Sequence, residues 1–315
     1  MAEWLYEAGI GEARAALVDD GVIVEALIEP DDAGVRHDAV LDARLIERLS
    51  ADLARVEWPG GAAMLSRPPA AATLGMTLRV RVVREALAEG RRIKLPKVVL
   101  ADPDAAPDSG PDLLARITAT DIPVRRCHAH ERDALETAGW SEVLAEAETG
   151  EVAFGRGLLR IALTPAMTVI DVDGEPPLGP LAIEAATACG AAIRRLGIAG
   201  SIGIDFPTVA DKAARQRVAE AIDAALPPPF ERTAVNGFGF LQIIRPRRRA
   251  SLPEQVAVDP IGAAARAALR TLERTPPGQP AASRLPPALI ARINARGWRA
   301  ALAQRSGRDL LEPAR

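Results

Sequence analysis

The chain has 315 residues, 48% of them hydrophobic and 26% charged, with a formal net charge of −3. That composition supports a sizeable packed core and excludes a disordered or collagen-like chain; the length admits one large domain or two modest ones. Its apolar runs fall short of the ~20 residues a membrane helix needs. The N-terminus, Met1-Ala2-Glu3-Trp4-Leu5-Tyr6-Glu7, carries acid where a signal peptide carries positive charge. Cys127 and Cys189 make neither a disulfide framework nor a metal knuckle. A soluble, cytoplasmic protein is expected.

Charge is unevenly spread. Residues 1–239 hold 25 basic and 37 acidic side chains, whereas residues 240–315 hold 14 arginines and 5 acids. Two readings follow: the C-terminal portion faces an anion such as nucleic acid or an acidic partner, or its arginines pair with the acidic N-terminal part.

In chain order, residues 4–28 read as a hairpin that turns at Asp19-Asp20-Gly21. Short β-rich stretches at 39–46, 53–58, 62–66, 77–84 and 97–100 predict a small barrel or sandwich. Residues 101–112 form an acidic Pro/Gly loop. A strand at 122–126 and helices at 131–138 and 141–147 come next, and strands occupy 152–172. Then a helix at 181–196, a strand at 198–206, a helix at 212–225 and a strand pair or long strand over 232–244 are expected. Residues 251–315 read as helical, interrupted by the Pro-rich stretch 276–287.

The informative segment is 164–206. Ala166-Met167-Thr168-Val169-Ile170 is a buried-strand run closed by Asp171-Val172-Asp173-Gly174, and Ile198-Ala199-Gly200-Ser201-Ile202-Gly203-Ile204 is a second, closed by Asp205. The helical stretch between them makes a strand–helix–strand unit whose crossover length fits a parallel pair. Neighbouring parallel strands lie ~4.8 Å apart, so Asp171 and Asp205 can converge on one point at the carboxyl edge of the sheet. A hard divalent cation relieves the repulsion of two such carboxylates, and Mg²⁺ suits a site completed by water and phosphate. The chemistry this predicts is metal-assisted phosphodiester hydrolysis. The competing reading is that each aspartate merely forms an Asx turn or a helix cap.

Several blocks resemble the ribonuclease E/G family of endoribonucleases. Thr164-Pro165-Ala166 through Asp171-Val172-Asp173-Gly174 looks like the segment carrying that family's first metal-binding aspartate. Ile183-Glu184-Ala185-Ala186 through Gly200-Ser201-Ile202-Gly203-Ile204-Asp205-Phe206 resembles its next helix and the strand with the second. Val235-Asn236-Gly237-Phe238-Gly239-Phe240-Leu241-Gln242 through Arg245-Pro246-Arg247 resembles the closing strand of the catalytic subdomain, and Gly9-Ile10-Gly11-Glu12 through Asp19-Asp20-Gly21 its opening hairpin. The four blocks keep the family's order and span most of residues 1–250.

The resemblance implies an α/β fold: an RNase H-like/DNase I-like catalytic core with an inserted small OB-fold-like β-barrel. Residues 1–37 would open the RNase H-like subdomain and 38–100 form the RNA-binding insert. Residues 101–160 would hold a loop and the rest of that subdomain, 161–250 the DNase I-like catalytic subdomain and 251–315 a basic helical C-terminal region. Asp171 and Asp205 would hold Mg²⁺, and Asp173 stands where the family usually has an assisting asparagine. The product would keep its 5′-phosphate on the downstream fragment. Arg245, Arg247, Arg248 and Arg249 match the family's basic strand exit and fit a phosphate-binding patch for single-stranded RNA. Arg55 and Met64 occupy positions where the family stacks bases, with Trp58, Arg91 and Arg92 as replacement contacts.

The sequence also departs from the family. The stretch between the barrel-like region and the catalytic strands is short for a 5′-end sensor, and an acidic residue often found after Asp205-Phe206 is missing. Residues 250–315 contain no cysteine, which excludes the family's zinc link and leaves a homodimer without zinc open. Phe238 and Phe240, at period-two spacing on one strand face, are read as core in preference to base-stacking residues. His128 and His130, beside Cys127, are only a weak signal for a metal site, because the sequence has no second Cys/His pair. Gly9-Ile10-Gly11 lacks the strand–glycine–helix context of a nucleotide loop. The leading expectation is a Mg²⁺-dependent endoribonuclease acting on single-stranded RNA. Its rivals are a non-catalytic RNA-binding or regulatory paralogue and a protein-interaction module with a basic C-terminus.

Overall fold

A computed structural model describes residues 1–89, 92–275, 284–307 and 312–313. The chain begins as a meander of β1 (Glu3–Ala8), β2 (Glu12–Asp19) and β3 (Val22–Pro30). It then leaves this sheet to build a closed five-stranded barrel from β4 (Val40–Arg48), β5 (Leu53–Trp58), β6 (Gly61–Ser66), β7 (Thr77–Arg84) and β10 (Lys97–Leu100). A hairpin of β8 (Leu87–Glu89) and β9 (Arg92–Lys94) projects between the last two. The alternation that predicted the strands also fills the barrel: Leu45, Val56, Leu65, Val80, Val82 and Val98 point inward and are fully buried. Closure is made by β10, which runs parallel to β6 and antiparallel to β7.

The chain then returns to the first sheet. Helix α1 (Leu113–Thr118) is capped by Asp112 and tucks Leu113 and Ile117 beneath Trp4, Ala15 and Leu17. Strand β11 (Val124–Arg126) adds parallel to β1, giving the order β11-β1-β2-β3. The entry to the barrel and the exit from it lie side by side. Val40 and Asp108 exchange two backbone hydrogen bonds of 2.9 Å across the two connections.

After α2 (Ala134–Thr137) and α3 (Trp140–Thr149) comes a six-stranded sheet. Its strands are β12 (Glu151–Phe154), β13 (Gly157–Leu163), β14 (Thr168–Gly174), β15 (Gly200–Asp205), β16 (Glu231–Arg232) and β17 (Phe240–Arg245). Their spatial order is β12-β13-β14-β15-β17-β16. Helices α4 (Leu178–Arg195) and α5 (Lys212–Ala225) interleave with the strands in sequence. Ile170, Val172, Ile202, Ile204, Leu241 and Ile243 share one core with the alanine-rich face of α4 and with Val218 and Ile222 of α5. Trp140 and Val143 of α3, and Leu5 and Ile23 of the first sheet, belong to the same core.

The C-terminal region folds as α6 (Leu252–Val258), α7 (Pro260–Arg274), β18 (Arg284–Leu285), α8 (Pro287–Ala295), α9 (Trp298–Ser306) and β19 (Glu312–Pro313). Its described residues are mainly helical, most of the Pro-rich stretch 276–287 lies outside the described residues, and the arginines of α7 are turned inward. Glu7 accepts hydrogen bonds from Arg14 at 2.6 Å, Arg270 at 3.0 Å and Arg274 at 3.1 Å. Glu12 bridges Arg14 at 2.6 Å and Arg266 at 2.7 Å, while Arg270 also reaches Asp133 at 2.6 Å. Arg266, Arg270 and Arg274 recur every fourth residue, which places them on one face of α7. Much of the charge asymmetry is thus internal pairing between the acidic and basic ends of the chain.

Glu85 performs a similar task for the barrel. Its carboxylate accepts from the His37 backbone N–H at 2.8 Å and Arg249 at 2.9 Å, and its own N–H donates to Arg248 carbonyl at 2.9 Å. The barrel is therefore fastened to the exit of β17. No helix among the described residues is long and apolar enough to cross a membrane.

Burial pushes the Glu7 carboxyl upward, but Arg14, Arg270 and Arg274 together outweigh it and hold it below its ordinary value. A group depressed in the folded state contributes stability at neutral pH and loses it as the pH falls through its folded pKa. Glu7→Gln, which leaves three guanidinium groups short of a partner, is expected to cost about 3–5 kcal/mol at neutral pH. Urea unfolding followed by circular dichroism should also show a shallower acid-side decline in the variant than in the parent.

Candidate active site

Strand β14 runs parallel to β15 in the register Thr168↔Ile202, Val169↔Gly203, Ile170↔Ile204 and Asp171↔Asp205. The two aspartates are thus direct neighbours, with backbones ~4.8 Å apart. Their positions within the strands differ from expectation. Asp205 ends β15, but β14 continues to Gly174 and Asp171 stands in its middle. The continuation has a cause: β13 pairs with β14 along its whole length, from Leu163↔Thr168 to Gly157↔Gly174.

Alternation assigns the faces. Ile170, Val172, Ile202 and Ile204 face α4, so Asp171 and Asp205 project from the opposite side, where both are exposed. Asp173 shares that side and is held by an ion pair with Arg160, which also lies 3.9 Å from Glu151. Among the described residues Asp171 and Asp205 have no ion-pair partner. Two adjacent carboxylates are left with their oxygens free.

This donor set fits Mg²⁺. It is all hard oxygen, exposed enough for the ion to keep several waters, and of the size used where a phosphate completes the coordination. Among the described residues no third His, Cys, Asp or Glu joins the pair in a metal-binding group. Protein ligation would therefore come from Asp171 and Asp205 alone.

The surroundings on the open face are distinctive. Phe240 is the cross-strand partner of Asp205, and its ring lies over Gly203. A Cβ at Gly203 would come within 2.6 Å of that ring and 3.0 Å of the Met167 sulfur, so only glycine admits this packing. Gln242, also on this face, donates to the Ser201 hydroxyl at 3.1 Å. Phe238 departs from the core reading altogether: it is 84% exposed at the tip of the turn between β16 and β17. The period-two argument fails there because β17 begins at Phe240 and Phe238 precedes the strand.

The other predicted contacts lie elsewhere. Gly200 pairs with Arg245 and Asp205 with Phe240, so Arg245 sits at the far end of β15, ~17 Å along the strand from Asp205. Arg245 is half-buried and donates to the Ile198 carbonyl at 3.0 Å, and burial lowers its pKa. Arg247 pairs with Glu254 and Arg249 with Glu85, whereas Arg248 is exposed. On the barrel, Arg55 and Met64 are cross-strand partners on the outer surface, with Arg55 exposed. Trp58 is half-buried with its ring against Gly61. Arg91 lies outside the described residues, and Arg92 begins β9 with its backbone paired to Glu89. His128 and His130 stack at 5.6 Å in an exposed turn.

Neither protein-family models nor curated proteins show a significant match to this chain. The reading of the site therefore rests on its geometry.

That geometry favours a long substrate. Two clefts of about 630 Å³ and 380 Å³ meet at Ala88, Glu254 and Val258, and neither is lined by Asp171 or Asp205. Small-molecule sites are concave and enclosing. The carboxylate pair instead sits on the open side of a sheet, which a polymer can cross. Arg160 escaped the sequence reading, and Phe238 was misplaced by it. Arg160 was signalled only by being a lone base at an outward position of β13, and exposed Phe238 had no signal beyond its glycine neighbours. Arg160→Met should leave Asp173 unpaired while changing stability by less than about 1 kcal/mol, because the pair is half-exposed. A denaturant midpoint close to that of the parent would match this.

Proposed function

We propose that the protein is a Mg²⁺-dependent endoribonuclease that hydrolyses phosphodiester bonds of single-stranded RNA, built like the ribonuclease E/G family. The observation that carries this reading is the in-register pair Asp171 and Asp205, unpartnered on an open sheet face.

The fold lends support at three points. A five-stranded closed barrel is inserted where an OB-fold-like RNA-binding element is expected, with Arg55 and Met64 on its outer surface. The first sheet is split in sequence around that barrel, with β1–β3 before it and β11 after it, as an interrupted RNase H-like subdomain would be. The strand–helix–strand unit of β14, α4 and β15 supplies both carboxylates, in the role of a catalytic subdomain.

In this reading Asp171 and Asp205 hold the metal ion. When bound, Mg²⁺ activates a water and offsets the negative charge that develops on the phosphate. Asp173, the remaining candidate of the site, is tied to Arg160, the cross-strand partner of Asp171, so this ion pair brings no net charge beside the metal-binding pair. Arg248 is a backbone-phosphate contact at the far edge of the same sheet, and Arg245, Arg247 and Arg249 shape that edge through internal bonds. A cytoplasmic location goes with this function. The engagement of Asp173 and a donor set of only two carboxylates favour a second reading, an RNA-binding paralogue without catalysis.

One assay separates them. End-labelled AU-rich RNA incubated with the full chain should be cut with Mg²⁺ and remain intact with EDTA. Asp171→Asn and Asp205→Asn should each lower the cleavage rate at least about 100-fold, because the ion supplies several kcal/mol of transition-state stabilisation. RNA that is bound but never cut, with affinity unchanged in both variants, would replace the enzyme by the paralogue.

Arg248→Ala provides a separate check on the basic strand exit. It should weaken RNA binding uniformly across sequences and reduce the salt dependence of log K by about one phosphate contact. Filter-binding titrations over a range of salt concentrations measure this slope.

A further inference from the structure

Phe238 is the most exposed aromatic side chain near the carboxylate pair, at 84%. A large apolar ring left in water at the tip of a floppy loop would need no explanation. This loop is braced. The Asn236 side-chain oxygen accepts from the Phe238 N–H at 2.9 Å and the Phe240 N–H at 3.0 Å, and Gly239 closes the turn on Asn236 carbonyl at 3.2 Å. Gly239 has φ of +96°, and a Cβ there would stand 2.2 Å from the Phe206 carbonyl oxygen. The Phe206 N–H donates to the Gly239 carbonyl at 3.1 Å, which ties the turn to the residue directly after Asp205. The backbone that carries the ring is therefore set in place, within ~10 Å of Asp205 by strand geometry.

A cleft of about 200 Å³ adjoins the same turn, lined by Ala234 and Val235 just before it and by Lys212, Arg215 and Arg232. Arg232 is engaged with Asp223, and Arg215 donates to the carbonyls of Val209 and Ala210 at 2.9 and 2.6 Å. Lys212, at the start of α5, is exposed. The cleft lies between α5 and the segment before the turn, and neither Phe238 nor Asp205 lines it.

We propose that Phe238 is a base-stacking platform: it holds the nucleobase of an RNA nucleotide next to the phosphate at Asp171 and Asp205. This inference rests on the endoribonuclease reading and assigns to that site a positioning residue. Stacking on an aromatic ring tolerates any base, so the contact orients RNA without imposing a sequence.

The test uses the full chain and AU-rich RNA bearing 2-aminopurine or a single abasic site at successive positions. Phe238→Ala should lower kcat/KM roughly 5- to 150-fold, the range of one lost stack. Phe238→Trp should restore cleavage to within about threefold of the parent. One abasic position should cost the parent a similar factor and cost Phe238→Ala nothing further, and the parent but not the variant should quench 2-aminopurine there. Thermal unfolding of Phe238→Ala should match the parent, because the ring is exposed.

Full cleavage by Phe238→Ala, or an abasic penalty that persists in it, overturns the platform while the nuclease stands. Quenching that needs Phe238 in a protein that never cuts RNA overturns the nuclease while the stacking stands. Neither quenching nor cleavage removes both.

Discussion

Glu7 and Glu12 lie nearly buried on the first sheet, and a buried carboxylate persists in its charged form only beside compensating charge. That requirement organises the molecule. Arg14, 1% exposed, lies between the two acids and neutralises part of them from β2. The remainder comes from the other end of the chain, where Arg266, Arg270 and Arg274 form one face of α7. The C-terminal region is thereby drawn onto the opening hairpin, and Ile10 can join Leu269, Leu272 and Trp298 in a small apolar cluster. Isolated pairs at a surface contribute little. Here several guanidinium groups converge on two acids out of water, so removal of any member leaves its partners exposed to a large desolvation cost.

The six-stranded sheet presents a different balance. One side is closed by α4 and α5, with β-branched residues from the strands against alanines from the helix. The other side is open, and there Asp171, Ser201, Asp205, Phe240 and Gln242 stand beside a few aliphatic residues such as Val169 and Ile244. A sheet with one packed and one wet side is a common solution where antiparallel pairing is present. What distinguishes this one is the placing of two acidic residues on neighbouring parallel strands with only Asp173, two residues further on, taken up by a cation. Neither carboxylate of that pair has an ion-pair partner among the described residues, and a bound cation would supply one.

Much of this was legible in the residues themselves. The five barrel strands follow from alternating apolar positions broken by turn residues, because in a small barrel each inward side chain must fill the interior. The pairing of Asp171 with Asp205 follows from a crossover of helical length between two aliphatic runs. Three things were hidden. The end of β14 depends on its long partner β13, which is a tertiary fact. The exposure of Phe238 depends on where β17 starts, and a local period says nothing about that. The inward turn of the C-terminal arginines depends on buried acids more than 250 residues away, although their four-residue spacing marked them as one helix face.

The twin hydrogen bonds between Val40 and Asp108 have one more implication. They bring the chain's departure from the first sheet and its return to the same spot, and the contacts of Glu85 with Arg248 and Arg249 are the second attachment of what lies between them. An element attached in this way is a cassette: shortening, lengthening or exchanging it leaves the path of β1, β2, β3 and β11 untouched. The surface that the barrel offers is thus free to diverge under its own selection, while the sheet carrying the two carboxylates keeps its frame.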